Sequence, residues 1–303
     1  MKRAWLRHIA AGLAAMLLLS GCSNTAAPGP TTRRVTRTTV LEPRAPGEVV
    51  LGNSFAGVDA SCTGDGYIQL HYSGTAVKAK LQLTLPDGNM YTYTLAPGKT
   101  ETIPLTGGSG EYGVTLLENA FDNIYAMVYS GGFQAQDVDE FLPYLYPNQF
   151  VWFTAGSSVC ALGVEISEQS ADDLDYVTRV YDYVVANIDY DYDLAAATPV
   201  DYIPDVEETL ASRKGICLDY ASLMTALLRS QGIPTKLVVG YSGTEYHAWI
   251  SVYLEETGWM DGIIYFDGVS WSRIDPTLAA GNRDVSVKDY VNNNDNYKEK
   301  YFY

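Results

Sequence analysis

The period of the apolar residues changes once along this chain, near residue 166, and that change limits the folds open to it. Val77, Ala79, Leu81, Leu83 and Leu85 alternate with Lys78, Lys80, Gln82 and Thr84, the two-residue period of a strand with one buried face. Pro86-Asp87-Gly88-Asn89 then supplies turn residues, and Met90–Leu95 returns as a second strand. Further short apolar runs at 67–72, 112–117, 125–129 and 150–154 are punctuated by Gly107, Gly108, Gly110, Gly131 and Gly132. Short strands between glycine and proline turns predict an antiparallel, immunoglobulin-like β-sandwich over residues 49–165. Its many tyrosines suit core and cross-strand packing better than a ligand site.

Beyond residue 166 the period lengthens. Ser170 reads as a helix cap with Asp172 and Asp173 in the first turn, and Leu174, Val177, Tyr181, Val184, Val185 and Ile188 recur at helical spacing. A Tyr- and Asp-rich loop occupies 189–205, followed by a short helix over 206–212. A longer helix runs from Cys217 to Ser230, closed by Gly232 and Pro234, with Gly215 allowing a tight entry. Segments 235–241, 247–254 and 269–274 read as strands. Helices followed by a small sheet predict an α+β domain over 166–303, and the chain as a whole is α+β.

The first residues lie outside this fold. Lys2, Arg3 and Arg7 precede the apolar run Ile9–Leu19, which is too short to cross a bilayer and has the proportions of a signal-peptide core. It ends in Leu19-Ser20-Gly21-Cys22, which resembles the lipobox of bacterial lipoproteins. The resemblance implies a signal peptide over 1–21, lipidation of Cys22, and attachment to the membrane at the bacterial cell surface. Residues 22–48, rich in Ser, Thr, Pro, Ala and Gly, read as a flexible tether carrying Arg33, Arg34, Arg37 and Arg44. From Val49 onward, 34 acidic residues face 13 basic ones, a balance of −21. A basic tether leads to an acidic body, so it either rests on anionic lipid or is simply solvated. The acidic body excludes nucleic acid as an expected partner.

Chemistry concentrates in the second half. The start of a helix leaves backbone N–H groups unpaired with the positive dipole end behind them, a field that favours an anionic sulfur at Cys217. The same N–H groups suit an oxyanion on an attacked carbonyl. A thiol nucleophile needs a base. Without His8 of the signal segment, the candidates are His71, in the sandwich, and His247. His247 stands beside Trp249 on the face of its strand opposite to Ala248, Ile250, Val252 and Leu254. Asp275, where the following strand meets Pro276, is placed to accept the imidazole N–H.

GICLDYASLMTALLRSQGIPTKLVVGY, YHAWISV and WSRIDPT, in this order and spacing, resemble the three motifs of the transglutaminase-like superfamily in its microbial branch. The resemblance covers about residues 174–280 and implies a papain-like core with Cys217 as nucleophile, His247 as general base and acid, and Asp275 as its orienting group. It implies attack on amide bonds of proteins or peptides, cell-wall peptides among them, through a Cys thioester resolved by an amine or by water. The chain departs from animal transglutaminases, which carry glutamine and tryptophan where Ile216 and Leu218 stand, and it offers no loop matching their calcium sites. The competing expectation is a binding or scaffold lipoprotein that keeps the fold without the chemistry. Tyr190, Tyr192, Tyr202 and Trp249 are expected to line the cleft. With Cys22 assigned to lipid and Cys217 to catalysis, Cys62 and Cys160 remain, either as a disulfide across the sandwich or as two buried thiols. No CxxC pair or histidine cluster marks a metal site, and no cofactor is expected.

Overall fold

The computed structural model describes residues 34–261, 264–266, 271–273 and 297–303. The first half holds β1 (Val50–Gly52), β2 (Ala56–Asp59), β3 (Tyr67–Tyr72), β4 (Ala79–Thr84), β5 (Met90–Leu95), β6 (Thr100–Pro104), β7 (Gly110–Phe121) and β8 (Ile124–Ala135). They form two four-stranded antiparallel sheets, ordered β1-β2-β3-β6 and β5-β4-β7-β8. The alternation that marks β4 holds: Ala79, Leu81 and Leu83 are buried, paired with Leu95, Tyr93 and Tyr91 of β5. Each such leucine contributes about 1.5–3 kcal/mol by leaving water.

The segment 150–154, expected as a strand, is not one. The side chain of Asn148 accepts the N–H groups of Phe150 and Val151, at 3.0 and 3.2 Å, and folds the chain into a tight turn with a single Asn148–Val151 bridge. β6 was hidden for the opposite reason: TETIP has no apolar alternation and gains its strand geometry only by pairing with β3.

The second half holds α1 (Ser158–Glu168), α2 (Asp173–Asn187), α3 (Tyr192–Ala196), α4 (Val206–Ser212) and α5 (Cys217–Ser230). Short parallel strands β9 (Asp189–Tyr190) and β10 (Lys214–Gly215) tie the Tyr/Asp loop to the entry of α5. A four-stranded sheet follows, ordered β13 (Gly258–Asp261), β12 (Glu245–Leu254), β11 (Thr235–Ser242), β16 (Tyr297–Phe302). Separately, β14 (Ile264–Phe266) pairs antiparallel with β15 (Trp271–Arg273), and only β15 lies in the segment 269–274 expected as a third strand. The class is α+β, as the change of period predicts. α5 packs on β11 and β12 and on α1, α2 and α4, which explains why nearly every side chain from Asp219 to Ser230 is buried.

Two helix starts differ from expectation. Asp172, not Ser170, caps α2: its carboxylate accepts the N–H of Asp175 at 2.8 Å. Ser170 is occupied by the preceding helix, its hydroxyl donating to the carbonyl of Ile166 at 2.8 Å. α1 lies in residues assigned to the end of the sandwich. The side chain of its cap residue, Ser157, accepts no N–H of the helix; instead Glu207 of α4 accepts the N–H groups of Ser158 and Val159, both at 2.9 Å. A helix start completed by a carboxylate far along the chain leaves no local signature.

The second half of the expected tether is not free. Residues 34–48 carry no regular secondary structure but lie pinned along the body. The backbone N–H of Arg34 donates to Ala171, its guanidinium donates to Gln231 O at 2.9 Å and lies 4.3 Å from the ring centroid of Tyr176, and Asp173 stands 3.3 Å away. Arg37 exchanges two hydrogen bonds with the Gln231 amide, at 3.0 and 2.9 Å. These contacts gather at the C-terminal end of α5, beside Gly232, which takes the left-handed conformation (φ +77°) that lets the helix stop. Composition rightly predicted the absence of secondary structure here; it could not report two arginines spending their donors on a helix end. Among the described residues, no helix is long and apolar enough to cross a membrane.

Glu207→Ala is expected to cost about 1–3 kcal/mol in urea unfolding, because it leaves two helix-start N–H groups without acceptors. A pH response follows from burial, which pushes Cys160 up to about 11 and Tyr93, Tyr144 and Tyr176 above the ordinary phenol range. Their unfolded counterparts ionise near pH 8.5 and 10. The stability they contribute is therefore complete below about pH 8.5 and is lost as pH climbs toward the folded values. Unfolding free energy should fall from pH 8.5 to 10.5, with Cys160→Val showing the shallower slope at the start of that range.

Candidate active site

Cys217 occupies the first position of α5, where β10 delivers the chain into the helix. The entry is tight: a Cβ on Gly215 would sit 2.5 Å from Cβ of Asp219, so glycine is required there by close approach. Ile216 is the capping residue, and because its side chain offers no acceptor, the cap is made from inside the helix. Asp219 Oδ2 accepts the N–H of Ile216 at 2.8 Å, and Asp219 Oδ1 accepts the hydroxyl of Tyr202 at 2.8 Å. This carboxylate is 1% exposed. Burial raises its pKa, opposed by the two hydrogen bonds it accepts. Burial and the adjacent Asp219 push the hydroxyl of Tyr202 up as well. The carbonyl of Ile216 takes the N–H groups of Asp219 and Tyr220, at 3.0 and 3.1 Å. The N–H groups of Cys217 and Leu218 have no acceptor among the described residues, which leaves two donors at the thiol.

Cys217 and His247 line one cleft of about 710 Å³. Cys217 is half-buried; His247 lies on β12 opposite Gly240 of β11 and is also half-buried. Tyr190 and Tyr202, expected in the cleft wall, are there. Trp249, expected beside them, is not among the lining residues. It is 2% exposed and packs edge-on, at 5.2 Å, against the ring of Tyr297 from β16, the strand beside β11 in the same sheet. Asp275 and Cys22 lie outside the described residues.

The far wall belongs to the sandwich. Lys80 of β4 and Thr92 and Thr94 of β5 face the cleft, and Lys80 Nζ meets Asp201 of the Tyr/Asp loop at 2.7 Å. Residues that sequence reasoning passed over include Asp219, Lys80, Tyr246, Tyr301 of the last strand and Tyr303 just after it. Asp219 had a signal: an acidic residue at the third position of a helix is the inner half of a capping box. The others had none, since strand pairing alone brings them here. Among the described residues no group of His, Cys, Asp and Glu is gathered as a metal site. Cys62 and Cys160 are both free and buried: Cys62 packs with Tyr67 and Tyr146, and Cys160 with the α1 core, so the disulfide alternative is set aside.

Asp219→Ala strips the acceptor from two buried donors at once and is expected to destabilise the protein by about 2–4 kcal/mol in urea unfolding. Tyr202→Phe removes one of the two bonds and should cost about 1 kcal/mol.

Residues 161–262 match the family model of the transglutaminase-like superfamily. The chain is 30% identical over 122 residues to the uncharacterized protein YebA of Bacillus subtilis, a stretch covering 34% of this chain and 16% of that protein. It is 33% identical over 78 residues to a protein-glutamine gamma-glutamyltransferase of Pseudomonas aeruginosa, covering 21% of this chain and 11% of the relative. The chain thus spans less than a fifth of the length of either relative. Among solved structures, red sea bream transglutaminase is similar at a TM-score of 0.31 and 13% identity, over 75% of this chain and 53% of that one. The thiol of Cys217 and the imidazole of His247 both fall within the matched stretch, and residues 161–262 form a domain of the transglutaminase-like superfamily.

Proposed function

We propose that this protein is a thiol acyltransferase acting on amide groups of proteins or peptides, held at the bacterial cell surface by lipid on Cys22. The observation that carries the reading is the opening of one cleft onto three things at once: Cys217, His247, and the two N–H groups at the start of α5 that have no acceptor among the described residues. The sulfur of Cys217 attacks an amide carbonyl, forming a C–S bond while the oxygen becomes an oxyanion. The N–H groups of Cys217 and Leu218 are placed to receive that charge. Collapse of the adduct breaks the C–N bond, and His247 gives the departing nitrogen its proton. The thioester is then resolved by an amine or by water, with His247 taking the proton of the incoming group. Asp275 is assigned to hold the imidazole of His247, as the superfamily motif implies.

The cleft walls favour a polypeptide substrate over a compact metabolite. Its lining mixes tyrosines, threonines and aliphatic side chains, with one ion pair, Lys80–Asp201, so little charge is offered for gripping a small ion. The cleft is also walled by β4 and β5 of the sandwich on one side and by the Tyr/Asp loop and the start of α5 on the other.

Iodoacetamide should label Cys217 first and well ahead of Cys62 and Cys160, which are buried. Incubation with a glutamine peptide and a primary amine, followed by mass spectrometry, separates transamidation, deamidation and cleavage by product mass. Cys217→Ala should abolish every product, and His247→Gln should slow the reaction by about 10²–10⁴-fold. Uniform slow labelling with no product from either substrate would instead support the scaffold reading.

A further inference from the structure

We propose that the edge of strand β5 is a docking rail, on which an extended stretch of substrate polypeptide adds as a further strand and is led to Cys217. The inference rests on the acyl-transfer reading for its purpose but on separate observations for its geometry. Among the described residues, β5 is the outer strand of its sheet, paired on one side only, to β4. In an antiparallel ladder the N–H and C=O of alternate residues point away from the partner strand. Thr94 shows which residues these are: its N–H donates to Oε1 of Gln149 at 3.0 Å, and its C=O accepts from Nε2 of Gln149 at 2.5 Å. One rung of the outward edge is therefore already filled by an amide, held at both ends.

Thr92, two residues earlier, must present its N–H and C=O in the same direction. They have no partner among the described residues, and Thr92 is exposed. Thr92 and Thr94 line the cleft that holds Cys217 and His247. Natural edge strands are commonly guarded by proline, lysine or a bulge; MYTYTL carries none, and its pairing with β4 is regular throughout. The occupant that fits is a polypeptide in extended conformation. The Gln149 side-chain amide shows the edge accepting a donor and an acceptor together at one rung, and a backbone supplies that pair again at each further rung. The Lys80–Asp201 contact ties the sandwich side of the cleft to the loop on the other side, keeping the rail in register with the thiol.

The test uses Cys217→Ala protein, so that binding is read without turnover. The probe is a fluorescein-labelled twelve-residue peptide, (Gln-Thr-Val)4, titrated by anisotropy beside the same peptide methylated on every backbone nitrogen. The parent peptide should bind, and the methylated one should bind at least about 10-fold more weakly. Thr92→Pro removes an outward N–H and no hydrogen bond of the β4–β5 ladder, so it should raise Kd about 3- to 10-fold relative to Thr92→Val. Equal binding of both peptides, no binding of the parent at 1 mM, or equal Kd for the two Thr92 variants would each overturn the rail. A dimer that Thr92→Pro dissociates would assign the edge to a second copy and overturn it too. Should Thr92→Pro fail to fold, the peptide pair still decides. Cys217 labelling in the unsubstituted protein is read separately, so loss of the acyl-transfer reading is not mistaken for loss of the rail.

Discussion

A guanidinium buried to 3% exposure holds the second half of this protein together. Arg229, on the last turn of α5, donates to Thr235 O through Nε and Nη2, to Tyr146 O through Nη1, and to Tyr303 O through Nη2. One side chain thus links the end of the core helix, the start of β11, the end of the last strand and the segment leaving the sandwich. Placing a cation in the interior costs several kcal/mol, and only a full set of acceptors offsets it. Those carbonyls are brought together by the fold itself, so the arginine is satisfied in one arrangement of the chain and in few others.

The opposite end of α5 is fixed by a buried charge of the other sign. Asp219 reaches back to Ile216 and sideways to Tyr202, and so sets the direction in which the first turn presents Cys217. With Arg229 at one end and Asp219 at the other, the helix is held against both sliding and turning. The two side chains stand about 15 Å apart along the axis at 1.5 Å per residue, too far for direct interaction to matter. Each is satisfied locally. The thiol of Cys217 therefore sits on a helix fixed at both ends, which is what the proposed role in nucleophilic attack requires.

The sandwich is part of the cleft, not a separate spacer. Its β4 and β5 supply one wall, the Tyr/Asp loop another, and β16 closes the side near Tyr301 and Tyr303. The pinned segment 34–48 adds a further restraint, since its arginines settle on the end of α5 remote from the thiol. The helix that presents Cys217 is thus gripped by chain from well before and well after it in sequence.

Much of this was legible from local pattern. Alternation at Val77–Leu85 marked β4, helical spacing with Gly232 and Pro234 marked α5, and Val206–Ser212 was read at its true limits. Cys217 and His247 were named from the helix start, the strand and the motif order, and the cleft contains both. What failed had a common cause. Trp249 was placed in the cleft because strand alternation gives a face but not what packs on it, and the ring of Tyr297 packs against Trp249. α1 was missed because its first N–H groups are satisfied by Glu207, and the tether was taken as free because its partners lie on α2 and α5. Sequence by itself determined the period of each segment and the chemical kinds available, because these depend on neighbours a few residues away. Tertiary structure alone decided which wall faces the thiol, which cysteines stay apart and which strand edge is left open, because those follow from pairings between residues far apart in the chain.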